Sequence, residues 1–291
     1  MRAIRLTAAG GPEALELEEL DVPEPGVGDT LIRVHAAAIT KDELEWPVDR
    51  LPAIPSYELS GEVAALGPDS NRLTVGEEVY ALADFSRDGA AADFAVVSAA
   101  LLAPKPSTLD HVASAAIPLA ALSAWQGLFD HGGLEEGQHV LILGATGGVG
   151  HFATQLARYR GAHVIATASD ADAARTLGAH QIVDYRRERV EDVVEPVDLV
   201  FDTAGGELLE RAPGVVKDGG RLFSVAVEPS APGIYFVVEP NMGQLEEITR
   251  LVDEGALRPE IDSIYPLEEA RAAFDRSLQP GKRGKVVLRL T

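Results

Sequence analysis

The chain contains no cysteine. That absence removes disulfides, thiolate metal sites and cysteine nucleophiles together. Basic residues are also scarce: 25 lysines and arginines stand against 46 acidic residues, for a net charge of -21. A surface this acidic repels nucleic-acid phosphates and anionic membranes, so neither is an expected partner. The acidic residues are scattered along the chain rather than gathered in one tail, which reads as a solvated surface. No apolar run approaches the length of a membrane span. The opening MRAIRLTAAGG lacks the apolar core of a signal peptide. A cytoplasmic protein is the expectation. There is no internal repeat and no low-complexity segment. A length of 291 residues with 46% hydrophobic residues fits a globular chain of two domains.

What is present changes character along the chain. Up to about residue 110 the pattern is β-rich, with short strands expected at 3–6, 15–20, 30–38, 58–67, 78–83, 93–97 and 101–103. Strands this short, spaced by glycine and proline, suggest a partly closed β-barrel. Residues 109–129 are rich in alanine and leucine and read as one or two helices. From residue 139 strand and helix alternate: strands at 139–143, 163–167, 181–184, 198–202, 221–225 and 234–238, with helices at 148–160 and 170–177. A helix over 241–254 has Asn241 as N-cap and Gly255 at its end. Alternation of this kind implies a parallel sheet with helices on both faces. Strands at 261–265 and 284–290 then flank a helix over 267–277, and the last strand most simply rejoins the first domain. The expected division is 1–111 with 256–291 as one discontinuous domain and 112–255 as the other.

The organising stretch is residues 139–150, HVLILGATGGVG. An apolar run bounded by glycines fits a buried parallel strand. The turn that follows comprises Gly144, Ala145, Thr146, Gly147, Gly148, Val149 and Gly150, with Ala145 where the usual G-x-G-x-x-G fingerprint has its first glycine. Glycines here let the backbone turn tightly and approach a pyrophosphate seated on the N–H groups of a helix start. The alternative is a tight strand-to-helix turn with no ligand.

The run 118–158, PLAALSAWQGLFDHGGLEEGQHVLILGATGGVGHFATQLAR, resembles the medium-chain dehydrogenase/reductase superfamily, and within it the zinc-free quinone oxidoreductase branch that includes enoyl and enone reductases. The opening 1–40, the segments 182–185 and 201–206 and the closing 284–288 are similar to that branch as well, so the resemblance spans essentially the whole chain. It implies an α/β architecture: a GroES-like β-barrel catalytic domain plus a Rossmann, doubly wound parallel sheet, with the active site in a cleft between them. It further implies a homodimer, joined through the strand at 234–238.

Zinc-dependent members of the superfamily use cysteine and histidine ligands. Here the first ligand position falls near 39–42, their Gly-His-Glu segment reads Ser56-Tyr57-Glu58, and a four-cysteine lobe is missing between residues 83 and 93. The seven histidines show no ligand-like spacing. The expectation is an enzyme without a metal.

For the cofactor, the tip of the second strand of the parallel sheet falls at Ala168 and Ser169. A small neutral residue there removes the charge that repels a 2′-phosphate. Tyr185 and the basic tail Lys282, Arg283 and Lys285 match phosphate-approaching positions of NADPH-dependent relatives. Asp170 reads either as the acid that bonds the ribose of NADH or as a helix cap. NADPH is favoured over NADH. Ser123, Ala204, Ser224 and Val225 match positions beside the nicotinamide.

For the substrate, the branch's Asn-Pro-x-Asp motif is replaced around Thr40, Lys41, Asp42 and Glu43. Thr40 is the candidate for a carbonyl contact. Lys41 reads either as a proton donor or as a surface lysine, and Tyr57 either as a proton donor or as a packing aromatic. Trp46, Phe85 and Tyr235 are candidates for the wall of a pocket for a flat conjugated substrate. The implied activity is NADPH-dependent hydride transfer to a quinone or to the C=C bond of an α,β-unsaturated carbonyl. The rivals are a tailoring reductase of a polyketide-like metabolite and a non-catalytic NADPH-binding or sensor protein.

Overall fold

The structure, a computed structural model, describes residues 1–47, 49–230 and 232–290. The chain forms two compact units, one of 1–119, 240–255 and 259–291, the other of 120–239 and 256–258.

The first unit opens with an antiparallel pair, β1 (Arg2–Leu6) and β2 (Leu15–Glu19). The strands β3 (Asp29–Ile39), β4 (Glu58–Leu66), β5 (Glu78–Leu82), β6 (Phe94–Ser98) and β7 (Ala103–Pro104) follow. Asp110 caps the short helix α1 (His111–Ala115) by accepting from the Ala113 N–H. The alanine-rich stretch then continues as α2 (Pro118–Trp125) and a π-helical turn, Gln126–His131.

The second unit holds β8 (His139–Leu143), α3 (Gly150–Tyr159), β9 (His163–Thr167), α4 (Ala171–Thr176), β10 (Gln181–Val183), α5 (Val190–Val193), β11 (Val197–Asp202), α6 (Gly206–Arg211), β12 (Val216–Ser224) and β13 (Ile234–Tyr235). The chain returns to the first unit with α7 (Met242–Asp253), β14 (Ile261–Pro266), α8 (Ala270–Leu278) and β15 (Lys285–Arg289).

In the first unit seven strands form one sheet in the order β14–β15–β3–β4–β5–β7, with β6 also on β3. Its last strand, β15, lies antiparallel to β3, so the C-terminal segment does rejoin the N-terminal strands. The core beneath is built from alternate inward residues such as Ile32, Val34, Leu59, Val63, Val286 and Leu288.

The second unit's sheet is parallel throughout, in the order β10–β9–β8–β11–β12–β13. Counted within the unit, that is the 3-2-1-4-5-6 order of dinucleotide-binding sheets. The order reverses between β8 and β11, and loops at the carboxyl ends of those two strands mark the position where such sheets bind ligands.

The boundaries differ from expectation in one informative place. The helix α7 belongs with the first unit, because its polar anchors lie there. The Tyr80 hydroxyl donates to the Leu245 carbonyl at 2.8 Å and lies 2.8 Å from Thr249 Oγ1. Asp253 accepts from the backbone N–H and hydroxyl groups of both Ser107 and Thr108. Strand–helix alternation along a sequence does not say which sheet a helix packs against. The expected strand at 234–238 pairs only at Ile234 and Tyr235, and the short helices α5 and α6 had no sequence signal.

Tyr80 is fully buried, so Tyr80→Phe removes its buried hydrogen bonds to α7. The expected loss is about 1 kcal/mol in denaturant unfolding, the net worth of a typical internal hydrogen bond. An unchanged midpoint would show that α7 is not held by this contact.

Candidate functional site

Two constellations stand out, one in each unit. The first is the turn after β8. Gly144 has φ 78° and sits against Thr203 and Ala204 of the loop after β11. The Gly144 N–H donates to Thr167 Oγ1 at 3.0 Å, and the Ala145 N–H to the Thr167 carbonyl at 3.1 Å. A Cβ on Gly150 would lie 2.0 Å from the Gly144 carbonyl oxygen, so only glycine lets α3 begin this close to the turn. The start of α3 has no side-chain cap. Among the described residues, the backbone N–H groups of Thr146, Gly148 and Val149 have no hydrogen-bond partner in the chain. An uncapped helix start with unpaired N–H groups is an anion seat.

The neighbouring loops are held by Asp202 and Ser224, both fully buried. Asp202 accepts from the N–H groups of Ala204 (3.1 Å) and Gly205 (2.9 Å) and from the Ser224 hydroxyl (2.7 Å). Ser224 Oγ in turn accepts from the Ala226 and Val227 N–H groups. Burial raises the Asp202 carboxyl above the usual range, while these donors pull the other way. Ser224, expected at a strand end beside the nicotinamide, spends its hydroxyl on the loop. Ala204 is exposed and Val225 half-buried, whereas Ser123 is buried in α2.

At the end of β9, Ala168 is buried and Ser169 is exposed. Asp170 caps α4, its carboxylate accepting from the Ala173 N–H at 3.0 Å. Tyr185 is exposed, with the Arg186 guanidinium 5.8 Å from its ring centre.

The second constellation is a buried polar cluster in the first unit. It forms where three strand ends meet. Val286 pairs with Ile39 and Glu58 with Ala38, so Lys285 and Thr40 come opposite one another beside Glu58. Lys285 and Glu58 form an ion pair sealed from solvent. Lys285 Nζ also donates to Thr40 Oγ1 at 3.1 Å, and the Thr40 hydroxyl donates to Glu58 Oε1 across 3.4 Å. Glu58 Oε2 accepts the Leu119 N–H at 2.9 Å. Beside them the fully buried Glu43 accepts from the Ser56 hydroxyl at 3.4 Å, from a serine held at φ 68°. Among the described residues the second Glu43 oxygen has no partner. Burial pushes the Glu43 carboxyl up to about 8, against the pull of the Lys285 charge, so it is a neutral acid at pH 7.

This corrects two expectations. Lys285 is not a phosphate contact: its ammonium is consumed inside the sheet of the first unit. Arg283 is exposed in that unit, its N–H bonded to Asp262, and Lys282 is half-buried nearby, burial and then the Lys285 charge lowering its ammonium to about 8. Tyr57 is likewise not placed as a proton donor. It is fully buried and packed against Trp46 (5.6 Å between ring centres) and Phe85 (5.4 Å). Its oxygen accepts from Arg50 at 3.1 Å, and burial pushes the phenol up to about 12. Trp46 and Phe85 do come together, 5.0 Å apart, around Tyr57. Tyr235 lies on β13 of the other unit. Lys41 is exposed, while Thr40 is half-buried. Glu43, Glu58 and Lys285 as one cluster escaped sequence reasoning. The available signal was an acid next to Tyr57 and a lysine opening the last strand, and only the strand register joins them.

Comparison with known proteins agrees with this architecture. Residues 26–107 match the alcohol dehydrogenase GroES-like domain, and residues 177–288 match the zinc-binding dehydrogenase family. The chain is 35% identical to a mitochondrial protein of Arthroderma benhamiae named "Probable zinc-binding oxidoreductase", over 95% of this chain and 93% of that one. It is 32% identical to the "NADPH-dependent alkenal/one oxidoreductase, chloroplastic" of Arabidopsis thaliana, over 99% of this chain and 79% of that one. The solved structure of the quinone oxidoreductase from Coxiella burnetii superposes with a TM-score of 0.94 at 30% identity, covering 100% of this chain and 99% of that one. A GroES-like unit and a parallel Rossmann-like unit thus define an oxidoreductase of the alcohol-dehydrogenase type. The chain belongs to the medium-chain dehydrogenase/reductase superfamily, in its quinone oxidoreductase-like branch. Among the described residues no helix is long and apolar enough to cross a membrane.

The donor set of the buried cluster does not fit zinc, despite the family description. The chain has no thiolate, and the Glu58 carboxylate is taken up by an ammonium. The turn after β8, in contrast, fits a dinucleotide pyrophosphate, on the evidence of its unpaired N–H groups.

The neutral Glu43 has a consequence for stability. A carboxyl whose folded pKa is raised stabilises the fold most below its unfolded value of 4.5, and that contribution is lost as pH rises through about 8. Glu43→Gln copies the protonated form. Relative to the parent protein it should gain on the order of 2 kcal/mol between pH 5 and pH 8 in denaturant unfolding. A difference independent of pH would mean that Glu43 ionises normally.

Proposed function

We propose that this protein is a metal-free, NADPH-dependent reductase that transfers hydride to a quinone or to the C=C bond of an α,β-unsaturated carbonyl. The observation that carries the reading is the uncapped start of α3 with its unpaired N–H groups, at the reversal of strand order in the parallel sheet. Bound NADPH supplies the hydride. Thr146, Gly148 and Val149 bind the pyrophosphate through their N–H groups, with Gly144, Ala145, Gly147 and Gly150 giving the backbone its shape. Ser169 donates to the 2′-phosphate, and the small Ala168 adds no charge of its own at the strand tip. The engagement of Asp170 as a helix cap supports the same preference. Tyr185 and Arg283 are the other phosphate candidates, and Ala204 and Val225 line the nicotinamide through their backbone. Thr40 hydrogen-bonds the oxygen of the substrate, which stabilises the charge that develops there. The name of the Arabidopsis thaliana relative, which gives both NADPH and an alkenal or enone substrate, supports this assignment.

Fluorescence titration should show tighter binding of NADPH than of NADH, and NADPH oxidation should follow on addition of quinones or α,β-unsaturated ketones. Tighter NADH binding would overturn the cofactor assignment. Tight NADPH binding with no turnover on any compound of such a panel would overturn the reductase and favour a binding or sensor protein.

The reading includes a homodimer joined along β13. That edge strand exposes Ile234 (54%) and Tyr235 (43%), with Val237 (60%) just beyond, and an apolar edge of this kind is a pairing surface. Light scattering should give twice the 30.8 kDa chain mass, and Tyr235→Lys should reduce it to the single chain. A monomeric parent protein would refute the assembly.

A further inference from the structure

The buried cluster is uneven in access. Glu58 and Lys285 are sealed, whereas Thr40 is half-buried. The Thr40 hydroxyl has an acceptor side and a donor side. Its oxygen accepts from Lys285 Nζ at 3.1 Å, which fixes its orientation. Its own proton points at Glu58 Oε1 across 3.4 Å, a long and weak bond. Glu58 does not depend on that bond. One of its oxygens holds the Lys285 ammonium, and the other accepts the Leu119 N–H at 2.9 Å. The Thr40 proton can therefore turn to a better acceptor at little cost. The ammonium behind it cannot turn away, because Glu58 holds it in place.

We propose that Lys285 is a positioning residue, which presents the Thr40 hydroxyl as a charge-backed hydrogen-bond donor to the oxygen of the carbonyl or quinone substrate. The inference rests on the reductase reading above and deepens it. Hydride addition to the β-carbon of an enone moves negative charge onto the carbonyl oxygen. A hydroxyl polarised by an ammonium one hydrogen bond behind it binds that charge more tightly than it binds the neutral carbonyl. Only such a difference lowers the barrier. The ion pair turns its ammonium end to the Thr40 oxygen, and with water excluded around it that dipole is weakly screened. No proton leaves Thr40 or Lys285 in this role.

The test is a double-mutant cycle with the full chain, NADPH and an enone that the parent protein reduces. Thr40→Val and Lys285→Met should each lower kcat, by about 10²-fold for the loss of the donor. The KM for NADPH should change by less than about twofold in both. The double variant should be no slower than Thr40→Val, because the lysine acts through the threonine. Lys285→Arg should recover part of the rate. Since Lys285→Met strands the Glu58 charge, Lys285→Met/Glu58→Gln serves as the neutral counterpart. It should remain folded and remain slow. Additive losses in the double variant, full activity in Lys285→Met, or parental kcat in Lys285→Met/Glu58→Gln would each overturn the proposal and leave the reductase reading standing. A parent protein that reduces no enone or quinone overturns both.

Discussion

The first unit depends on one carboxylate. Glu58 stands at the start of β4 and ties together three other segments far apart in the chain: Lys285 at the start of β15, Thr40 just past β3, and the Leu119 backbone at the start of α2. An ion pair this buried is a poor source of net stability, because desolvating two charges offsets most of their attraction. Its contribution is to specificity. Removing either partner leaves an uncompensated charge in the core, so the C-terminal strand must arrive with Lys285 opposite Thr40. The register of β15 on β3 and the presentation of the Thr40 hydroxyl follow from the same pair. Glu43 shares the cavity of charge, and its retained proton keeps the cluster neutral, with Lys285 balancing Glu58 alone.

The second unit depends on close backbone approach. Gly150 and Gly144 allow α3 to begin almost in contact with the turn after β8. Thr167 anchors that turn from β9, and Thr203 donates to the Leu143 carbonyl from the loop after β11. Asp202 and Ser224 then hold the two loops that follow β11 and β12. The result is a rigid frame around N–H groups that are left unpaired. Rigidity and vacancy belong together here. Donors satisfied by the chain itself would have nothing left for an anion.

The same residues show how far sequence reading reaches. The glycine turn was legible because its chemistry is local: a strand, a turn that needs small residues, and the start of a helix lie within twelve consecutive positions. The parallel sheet was legible from alternation. Lys285 was misread because its neighbours in sequence, Lys282 and Arg283, are basic and suggest a phosphate site. Its neighbour in space is Glu58, 227 positions away in the chain. Ser224 shows where such reading stops. The end of a strand places a residue near a ligand, but whether its hydroxyl points outward depends on the buried acid on the adjacent strand. Tyr57 was judged by its place in a motif, and burial against Trp46 and Phe85, with Arg50 on its oxygen, decides its role.

By itself, then, the sequence determined the absence of thiolate chemistry, the two kinds of secondary-structure pattern, and the turn that seats a pyrophosphate. These properties rest on composition and on neighbours in the chain, where spacing and backbone freedom decide. Only the tertiary structure decided that α7 joins the first unit, that Asp202 and Ser224 brace the loops, and that Glu43, Glu58, Thr40 and Lys285 form one cluster. Charge pairing and burial depend on distance in space. Strand register brings Lys285 within hydrogen-bonding reach of Thr40, and no pattern along the chain encodes that meeting.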